Sequence, residues 1–280
     1  MKKYPLSSFA KEKPILYSLV FVALFTLAAV LIRNVVISTI VSISFSLVYL
    51  YLGNLFSSSG IKSERIEKGL LFGSPFLLNG IGAFIISIFG TNFSSLEITS
   101  LSNILYFTVV VVLIAMNEEL GFRCIILNSF MKKYGHTYKG IWKALLIHSA
   151  YFSLFHLVNI PHLAPSTLIG QIISSFTAGM CFGAIFIRTR NLWSLLILHT
   201  LINWLGLFIS HNFVTEDGIT RAISVLNMNL TYGGAILIAI LASIVPVTLT
   251  FILMQKKYID LEHEIPVDEL EECLTKKDKI

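Results

Sequence analysis

Long apolar runs, separated by short polar segments, dominate the pattern along the chain. A helix of about 20 mostly apolar residues can cross a bilayer core of roughly 30 Å. The runs lack the strict alternation of a strand, and lipid offers no water to unpaired backbone groups, so each run should be helical. Eight spans are predicted, at about 15–32, 35–55, 69–89, 102–127, 143–158, 167–187, 192–209 and 233–254.

Composition and charge support this architecture and orient it. Hydrophobic residues make up 55% of the chain and charged residues only 13%. Of the 21 Lys and Arg residues, 18 lie in the N-terminus, in loops 56–68, 128–143 and 188–190, and in the tail. Basic loops are typically cytoplasmic, so both termini are predicted to be cytoplasmic, which requires an even number of spans. The net charge of +5 then reflects loops beside a membrane, and no nucleic-acid partner is expected.

The predicted fold is therefore an all-α, polytopic membrane bundle. Residues 1–254 form its membrane domain, and 255–280 form a polar cytoplasmic tail. The first span resembles a signal peptide, but another span follows at once and no small-residue cleavage site is evident, which favours an uncleaved anchor. The cysteines Cys124, Cys181 and Cys273 are scattered and predict no disulfide framework.

The fourth span ends in MNEELGFR, residues 116–123, which carries three charges. Ionisable groups inside a membrane are costly and are candidates for function. Glu119 and Arg123 are four residues apart, so they share a helix face and can pair. Glu118 is turned about 100° away and needs a partner from another span. The alternative is that all three lie at the cytoplasmic interface, where their side chains reach water.

Two later spans add polar groups at one-turn spacing. FSLFH, residues 152–156, places Phe152 beside His156, and HTLIN, residues 199–203, places His199 beside Asn203. Polar side chains in a bundle tend to find each other or water. A carboxylate and an imidazole can activate a water molecule, while a second imidazole and an amide can stabilise an oxyanion. Such a cluster suits hydrolysis of an amide bond, with Glu118 and His156 as the predicted pair around the water.

Other catalytic chemistries lack their motifs. HExxH and GxSxG are both absent from the sequence. A zinc site built from Glu and His residues stays an alternative, but Asn203 is a poor zinc ligand and suits an oxyanion site better. No cofactor is therefore expected.

The three motifs together resemble the CAAX protease and bacteriocin-processing (CPBP, or Abi) family, which includes the type II CAAX prenyl endopeptidases. EELGFR fits EExxxR, FSLFH fits FxxxH and HTLIN fits HxxxN, in that order, within a core of about residues 102–209. The resemblance implies an eight-helix, metal-independent glutamate protease of the membrane interior. Glu118 and His156 would activate water, and His199 and Asn203 would form the oxyanion site. Glu119, Arg123 and Phe152 would be supporting residues.

The expected activity is cleavage of a peptide precursor or membrane-protein substrate in a bacterial cytoplasmic membrane. The three motifs do not transfer the prenyl specificity of eukaryotic relatives to this chain. A non-catalytic partner, such as a bacteriocin self-immunity protein or a regulator of a sensor kinase, stays open within the same family. A proton-coupled transporter that uses the Glu and His residues as a relay is a third reading.

Three further expectations concern the surroundings of the site. His148 is read as a packing residue, and the Gly- and Ser-rich segment 171–184 is read as a close-packing helix face. Lining of the cavity is the alternative for both. His156 falls deep along its span, so either the helix of the fifth span begins outside the membrane, which we expect, or the site lies nearer mid-depth. The active-site cavity is expected to open to the cytoplasm.

Overall fold

The chain is helical almost throughout the computed structural model, which describes residues 4–32, 34–61, 64–91, 93–214 and 231–259. The α-helices are α1 Ser7–Glu12, α2 Pro14–Leu31, α3 Val35–Leu52, α4 Ile66–Gly73, α5 Leu77–Gly90, α6 Leu101–Glu118, α7 Asn128–Tyr134, α8 Tyr138–Phe155, α9 Pro165–Thr189, α10 Leu192–Asn212 and α11 Tyr232–Leu253. Short 3₁₀ turns cover Ser74–Phe76, Phe93–Ser95, His156–Asn159 and Lys256–Tyr258, and a π-helix covers Glu119–Leu127. Two short strands, β1 Glu97–Ile98 and β2 Phe213–Val214, pair antiparallel.

Several helices begin where the sequence supplies a side-chain cap. Asn34, Ser100, Thr137, Asn191 and Thr231 each accept a hydrogen bond from a backbone N–H in the first turn of α3, α6, α8, α10 and α11. These caps satisfy N–H groups that have no partner within the helix. Pro165 begins α9, where a missing N–H costs nothing. The ends of the apolar runs are thus fixed by local chemistry.

Six helical segments of the described chain are long and apolar enough to cross a membrane. They are Val35–Leu52, Ile66–Gly90, Tyr138–Asn159, Pro165–Thr189, Leu192–Asn212 and Tyr232–Leu253. A shorter apolar helix covers Pro14–Ala28. The other predicted span, 102–127, corresponds to α6 and the π-helix that continues it. The protein is therefore an all-helical, multi-pass membrane protein, and the count of eight spans stays a prediction.

The loops gather at two opposite ends of the bundle. At the first, which we call the basic end, Leu192 N–H donates to Gly60 O, Tyr138 Oη donates to Met254 O and Asn128 Nδ2 donates to Ser58 O. At the second, the opposite end, Thr99 N–H donates to Asn212 O beside the β1–β2 pair. The predicted basic loops that the structure describes thus share one end.

Some predicted features lie outside the described residues. These are Lys2, Lys3, Arg33, Lys62, Arg221, Cys273 and the tail from 260 onward. The domain boundary at 254 lies at the end of α11, and only residues 255–259 of the tail belong to the described chain. The cytoplasmic assignment of the tail stays a prediction.

Helix α9 packs closely on α8, as the small residues of 171–184 predict. A Cβ atom added to Gly179 would lie 3.2 Å from Cα of Ser149 and from Cδ1 of Phe152, so the two helices approach too closely there for a larger residue. His148 is fully buried on the same side of α8. This packing fixes the position of Phe152 and of the 3₁₀ turn that carries His156.

Candidate active site

The Glu119–Arg123 ion pair is present at the heart of the bundle. Arg123 Nη1 lies 3.1 Å from Glu119 Oε1, and both side chains are fully buried. Both residues belong to the π-helix, in which every residue is buried. Such helices are rare and occur often at functional sites. A buried pair of this kind is costly to break, because removal of one partner leaves an unpaired charge.

The two adjacent glutamates converge on one imidazole, that of His199. Glu119 Oε1 lies 2.7 Å from His199 Nδ1, and Glu118 Oε2 lies 3.6 Å from His199 Nε2. Sequence reasoning paired Glu118 with His156 through a water molecule, and it gave Glu119 no partner besides Arg123. The contact with His199 was missed because it depends on how α10 packs against the π-helix, which no local spacing encodes.

His156 occupies the first position of the 3₁₀ turn that extends α8. Its Nδ1 lies 2.9 Å from the backbone oxygen of Phe152, and its ring meets the Phe152 ring edge-on with centroids 5.0 Å apart. Because a carbonyl oxygen can only accept, Nδ1 carries the hydrogen in the neutral ring, and Nε2 keeps its lone pair. The ring is half-buried. A basic nitrogen is therefore available on the side away from the backbone.

Two aromatic rings enclose the guanidinium of Arg123. Its Cζ lies 4.4 Å from the ring centre of Phe152 and 5.3 Å from that of Phe182, both within cation–π range. Phe182 also stacks on His199, with centroids 5.2 Å apart and planes 27° apart. Sequence reasoning had placed Phe152 among the supporting residues but did not single out Phe182, which lies in a segment read mainly as a packing face.

A cavity of about 530 Å³ brings the predicted catalytic residues together. Glu118, His156, His199 and Asn203 all line it, as does Phe152, whereas Glu119 and Arg123 do not. The wall also includes residues of α5, α6, α8, α9, α10 and α11. The volume is in the range of sites that bind small ligands or short peptide segments. Glu118 therefore lies on the cavity wall, and Glu119 lies behind it.

The cavity extends away from the basic end, whose cytoplasmic location is a prediction, so the expected opening to the cytoplasm stays a prediction as well. Its wall includes Asn159 at the end of the 3₁₀ turn, Thr167 in the first turn of α9 and Ala235 in the first turn of α11. All three positions belong to the opposite end. Among the described residues, none of the lining residues belongs to a loop of the basic end. Helix α8 begins at Tyr138, five residues before the predicted start at 143. It ends at Phe155, so His156 follows its last residue, at the end of the helix away from the basic end.

Part of the segment 171–184 forms a polar wall of the cavity. Gln171, Ser174 and Ser175 line it, together with Ala178 and Phe182. These positions recur at three- and four-residue spacing, which marks one face of a helix. That spacing of polar residues was the available signal, and sequence reasoning favoured packing over lining. The structure shows both, on different faces of α9.

Metal ligation is the remaining question about the donor set. Within the described ranges, no three or more His, Cys, Asp or Glu side chains are grouped so that they could hold a metal ion. The side chains nearest each other are already engaged, since His199 Nδ1 and Arg123 share the same oxygen of Glu119.

Fold and site together define a multi-pass membrane protein with a buried Glu–His cluster on an internal cavity. Residues 100–205 match a family model described as type II CAAX prenyl endopeptidase Rce1-like. This segment contains all three motifs and nearly coincides with the predicted core at 102–209. The resemblance drawn from the motifs is confirmed, because the motif-bearing core of the chain is similar to this CAAX protease family. Comparisons with curated proteins and with solved structures give no match.

Proposed function

We propose that the protein is an intramembrane endopeptidase that hydrolyses a peptide bond of a membrane-associated protein or peptide precursor. The observation that carries the proposal is the cavity wall, on which residues of three motifs from three separate helices meet. Glu118, His156, His199 and Asn203 all face the same space, while the Glu119–Arg123 pair lies behind it. A non-catalytic partner would have no need of this arrangement around an internal cavity.

Glu118 and His156 are proposed to activate the attacking water. Nε2 of His156 accepts a proton from the water, or passes it to Glu118, as the water oxygen bonds to the substrate carbonyl carbon. The tetrahedral intermediate then collapses when its C–N bond breaks, and the same proton is delivered to the leaving nitrogen. The hydrogen bond from Nδ1 of His156 to Phe152 O keeps the basic nitrogen turned away from the helix.

His199 and Asn203 are proposed to stabilise the developing oxyanion. They are four residues apart on α10, so both project from one face toward the cavity. His199 is oriented by Glu119 at its Nδ1, and Glu119 is in turn held by Arg123. A role at the oxyanion requires a hydrogen on Nε2 of His199, the ring nitrogen that lies 3.6 Å from Oε2 of Glu118 on the cavity wall. One preorganised donor to an oxyanion can be worth about 3 kcal/mol.

The proposal also covers topology and location. The bundle would cross the cytoplasmic membrane of a bacterium eight times, with the basic end and both termini in the cytoplasm. Helix α2 and the α6–π-helix segment would supply the two spans beyond the six identified by length and composition. The partners would be the bilayer and a peptide or membrane-protein substrate.

Alanine substitution of Glu118 or His156 tests the proposed catalysis. Membrane peptides are compared by mass spectrometry between cells that express the wild type and cells that express Glu118→Ala or His156→Ala at equal membrane levels. Each variant should lose the cleavage products by at least about a hundredfold, as expected for loss of a general base. Glu67→Ala, the same change at an exposed position on α4, is the matched control and should cleave normally.

The outcomes separate the candidate functions. Products that persist at the wild-type rate in Glu118→Ala would contradict the protease mechanism. A biological phenotype that survives in Glu118→Ala, after cleavage is lost, would favour the immunity or kinase-regulator function. The proposed mechanism needs no metal, so activity that a chelator abolishes and zinc restores would contradict that part of it.

A further inference from the structure

The cavity holds a second polar feature, an amide pair formed by Asn159 and Gln171. Asn159 Nδ2 donates to Gln171 Oε1 at 3.0 Å, across the gap between the 3₁₀ turn and α9. Both residues line the cavity. The mechanism proposed above uses neither of them, and sequence reasoning placed Gln171 in the packing segment 171–184 without singling out either residue. Two paired amide side chains on the cavity wall that the mechanism does not use therefore need their own explanation.

The hydrogen bond leaves the NH₂ group of Gln171 as a donor and the side-chain carbonyl of Asn159 as an acceptor for a ligand. The hydrogen bond between the two amides uses Nδ2 of Asn159 and Oε1 of Gln171, which leaves Nε2 of Gln171 and Oδ1 of Asn159. Within the described chain, no other hydrogen bond engages these two atoms. A peptide unit carries one N–H donor and one C=O acceptor, so it complements this set. A prenyl or acyl chain offers neither group and would leave both amide atoms without partners.

The distance from the catalytic cluster fits an extended peptide. Asn159 is three residues after His156 in a 3₁₀ turn, where side chains three apart are eclipsed and the rise is about 2.0 Å per residue. The two side chains are therefore stacked about 6 Å apart along the turn. An extended chain rises about 3.3 Å per residue, so about two substrate residues cover this distance.

Aromatic residues occupy the wall near the same turn. Phe152 and Phe155 precede His156 on α8, and Phe182 lies across the cavity on α9. Such rings can contact substrate side chains, whereas the amide pair offers hydrogen bonds suited to a main chain. Hydrogen bonds to the main chain combined with pockets for side chains are typical of recognition of extended peptides.

We propose that Asn159 and Gln171 form a subsite that hydrogen-bonds the main chain of an extended peptide, about two residues from the bond that is cleaved. Gln171 Nε2 donates to a substrate carbonyl, and Asn159 Oδ1 accepts from a substrate N–H. The inference rests on the proposed peptidase function and deepens it. The occupant is an unfolded peptide segment that needs no lipid group to be held at this position.

An ester scan tests this subsite directly. The purified full-length protein in detergent is first screened with a library of internally quenched decapeptides to find a cleaved sequence. Each amide near the scissile bond of that peptide is then replaced by an ester, which removes one N–H donor. In the wild type, one ester about two residues from the scissile bond should raise KM by about fivefold to tenfold, the effect of one lost hydrogen bond.

Variants of the pair should abolish that sensitivity. Gln171→Leu and Asn159→Leu should each raise KM for the all-amide peptide by about tenfold, with kcat within about twofold. In both variants the responsive ester should change KM less than twofold. Asn159→Leu removes the oxygen that accepts from the substrate N–H, and Gln171→Leu removes the hydrogen bond that holds Asn159 in place. Gln255→Leu, the same substitution at the chain's other glutamine, is exposed and should leave both constants unchanged.

The results separate this subsite from the proposed function itself. Unchanged KM in Gln171→Leu and Asn159→Leu, while Glu118→Ala abolishes cleavage, overturns the subsite and leaves the protease standing. Cleavage that persists in Glu118→Ala overturns the protease mechanism. Peptides that carry a C-terminal farnesylcysteine are tested beside the library. If only these are cleaved, and Gln171→Leu and Asn159→Leu do not change their KM, the cavity binds a lipid and the subsite is overturned. A wild type that cleaves none of these peptides overturns both proposals.

Discussion

Two neighbouring glutamates with the same chemistry occupy different environments. The Glu118 side chain is 13% exposed and lies on the cavity wall, whereas that of Glu119 is fully buried between Arg123 and His199. Their contacts with one imidazole differ as well, with a tight hydrogen bond to Glu119 and a looser approach by Glu118. These environments agree with the proposed roles, in which Glu118 reacts and Glu119 holds Arg123 and His199.

The two residues should therefore respond differently to the same substitution. Glu118→Gln should abolish cleavage with little change in the thermal unfolding temperature, because the amide keeps the shape of the side chain but cannot act as a base. Glu119→Gln should lower the unfolding temperature strongly, because Arg123 becomes a buried unpaired cation, a loss of about 3–5 kcal/mol. For each variant, the unfolding temperature is measured by thermal unfolding in detergent, and activity is measured by peptide cleavage. Equal losses of stability in the two variants would undo this division of roles.

The sequence predicted these residues better than it predicted their contacts. The i, i+4 spacing of Glu119 and Arg123 was enough to predict their ion pair. The convergence of both glutamates on His199 was not predicted, since 80 residues separate Glu119 from His199 along the chain. The stacking of Phe182 on the same ring also depends on the way α9 packs beside α10. Local spacing identifies which residues share a face, but only tertiary packing decides what that face meets.

At the scale of elements, most helices follow from the apolar runs and their caps, while the irregular ones do not. The π-helix Glu119–Leu127 and the 3₁₀ turn His156–Asn159 both carry site residues. A hydrophobic run does not reveal whether its turns are α-helical, tighter or wider. In the π-helix every residue is buried, so no polar face marks its period. The departures from regular geometry occur where the motifs are, a placement often seen at functional sites.

Helix α11 has a proline in its interior, and a residue of another helix compensates for it. Pro246 has no N–H, so the carbonyl of Ala242, four residues earlier, loses its helical partner. Asn79 Nδ2 from α5 donates to Ala242 O at 2.6 Å. Asn79 and α11 residues also line the cavity. The hydrogen bond thus joins α5 to α11 across one side of the site.

A double-mutant cycle should show that Asn79 compensates for the proline. Asn79→Ala alone should destabilise the protein by about 1–3 kcal/mol, because it leaves the Ala242 carbonyl without a donor. In a Pro246→Ala background the restored N–H satisfies that carbonyl, so the same Asn79→Ala change should cost much less. The measurement is the free energy of unfolding in detergent for all four proteins. If Asn79→Ala lowers the free energy of unfolding equally in both backgrounds, the hydrogen bond to the Ala242 carbonyl is not the reason why Asn79 stabilises the protein.

At the scale of the whole molecule, the site is asymmetric with respect to the two ends. The π-helix is joined to the basic end by the hydrogen bond from Cys124 Sγ to Ser59 O at 2.9 Å. Asn128, at the start of α7, also binds Ser58 O and accepts from Arg190 Nη1. The cavity extends from the catalytic cluster toward the other end instead. A substrate would therefore approach His156 and the amide pair from the opposite end of the bundle.

The positions at either end of α8 give a direct test of this orientation. Lys139 lies at the basic end and His162 just beyond the 3₁₀ turn at the opposite end, and both are exposed. Single cysteines, Lys139→Cys and His162→Cys, are introduced after Cys124, Cys181 and Cys273 are replaced by serine or alanine. A membrane-impermeant maleimide added to intact cells should label His162→Cys and spare Lys139→Cys, because basic loops are typically cytoplasmic.

Inverted membrane vesicles supply the control, since the labelling pattern should reverse in them. Labelling of both positions from the same side would show that α8 does not cross the membrane. Labelling of Lys139→Cys alone in intact cells would invert the predicted topology and place the end toward which the cavity extends in the cytoplasm. The predicted pattern has a consequence for the substrate: because the cavity extends toward His162, the peptide bond to be cleaved would enter from the outer half of the membrane.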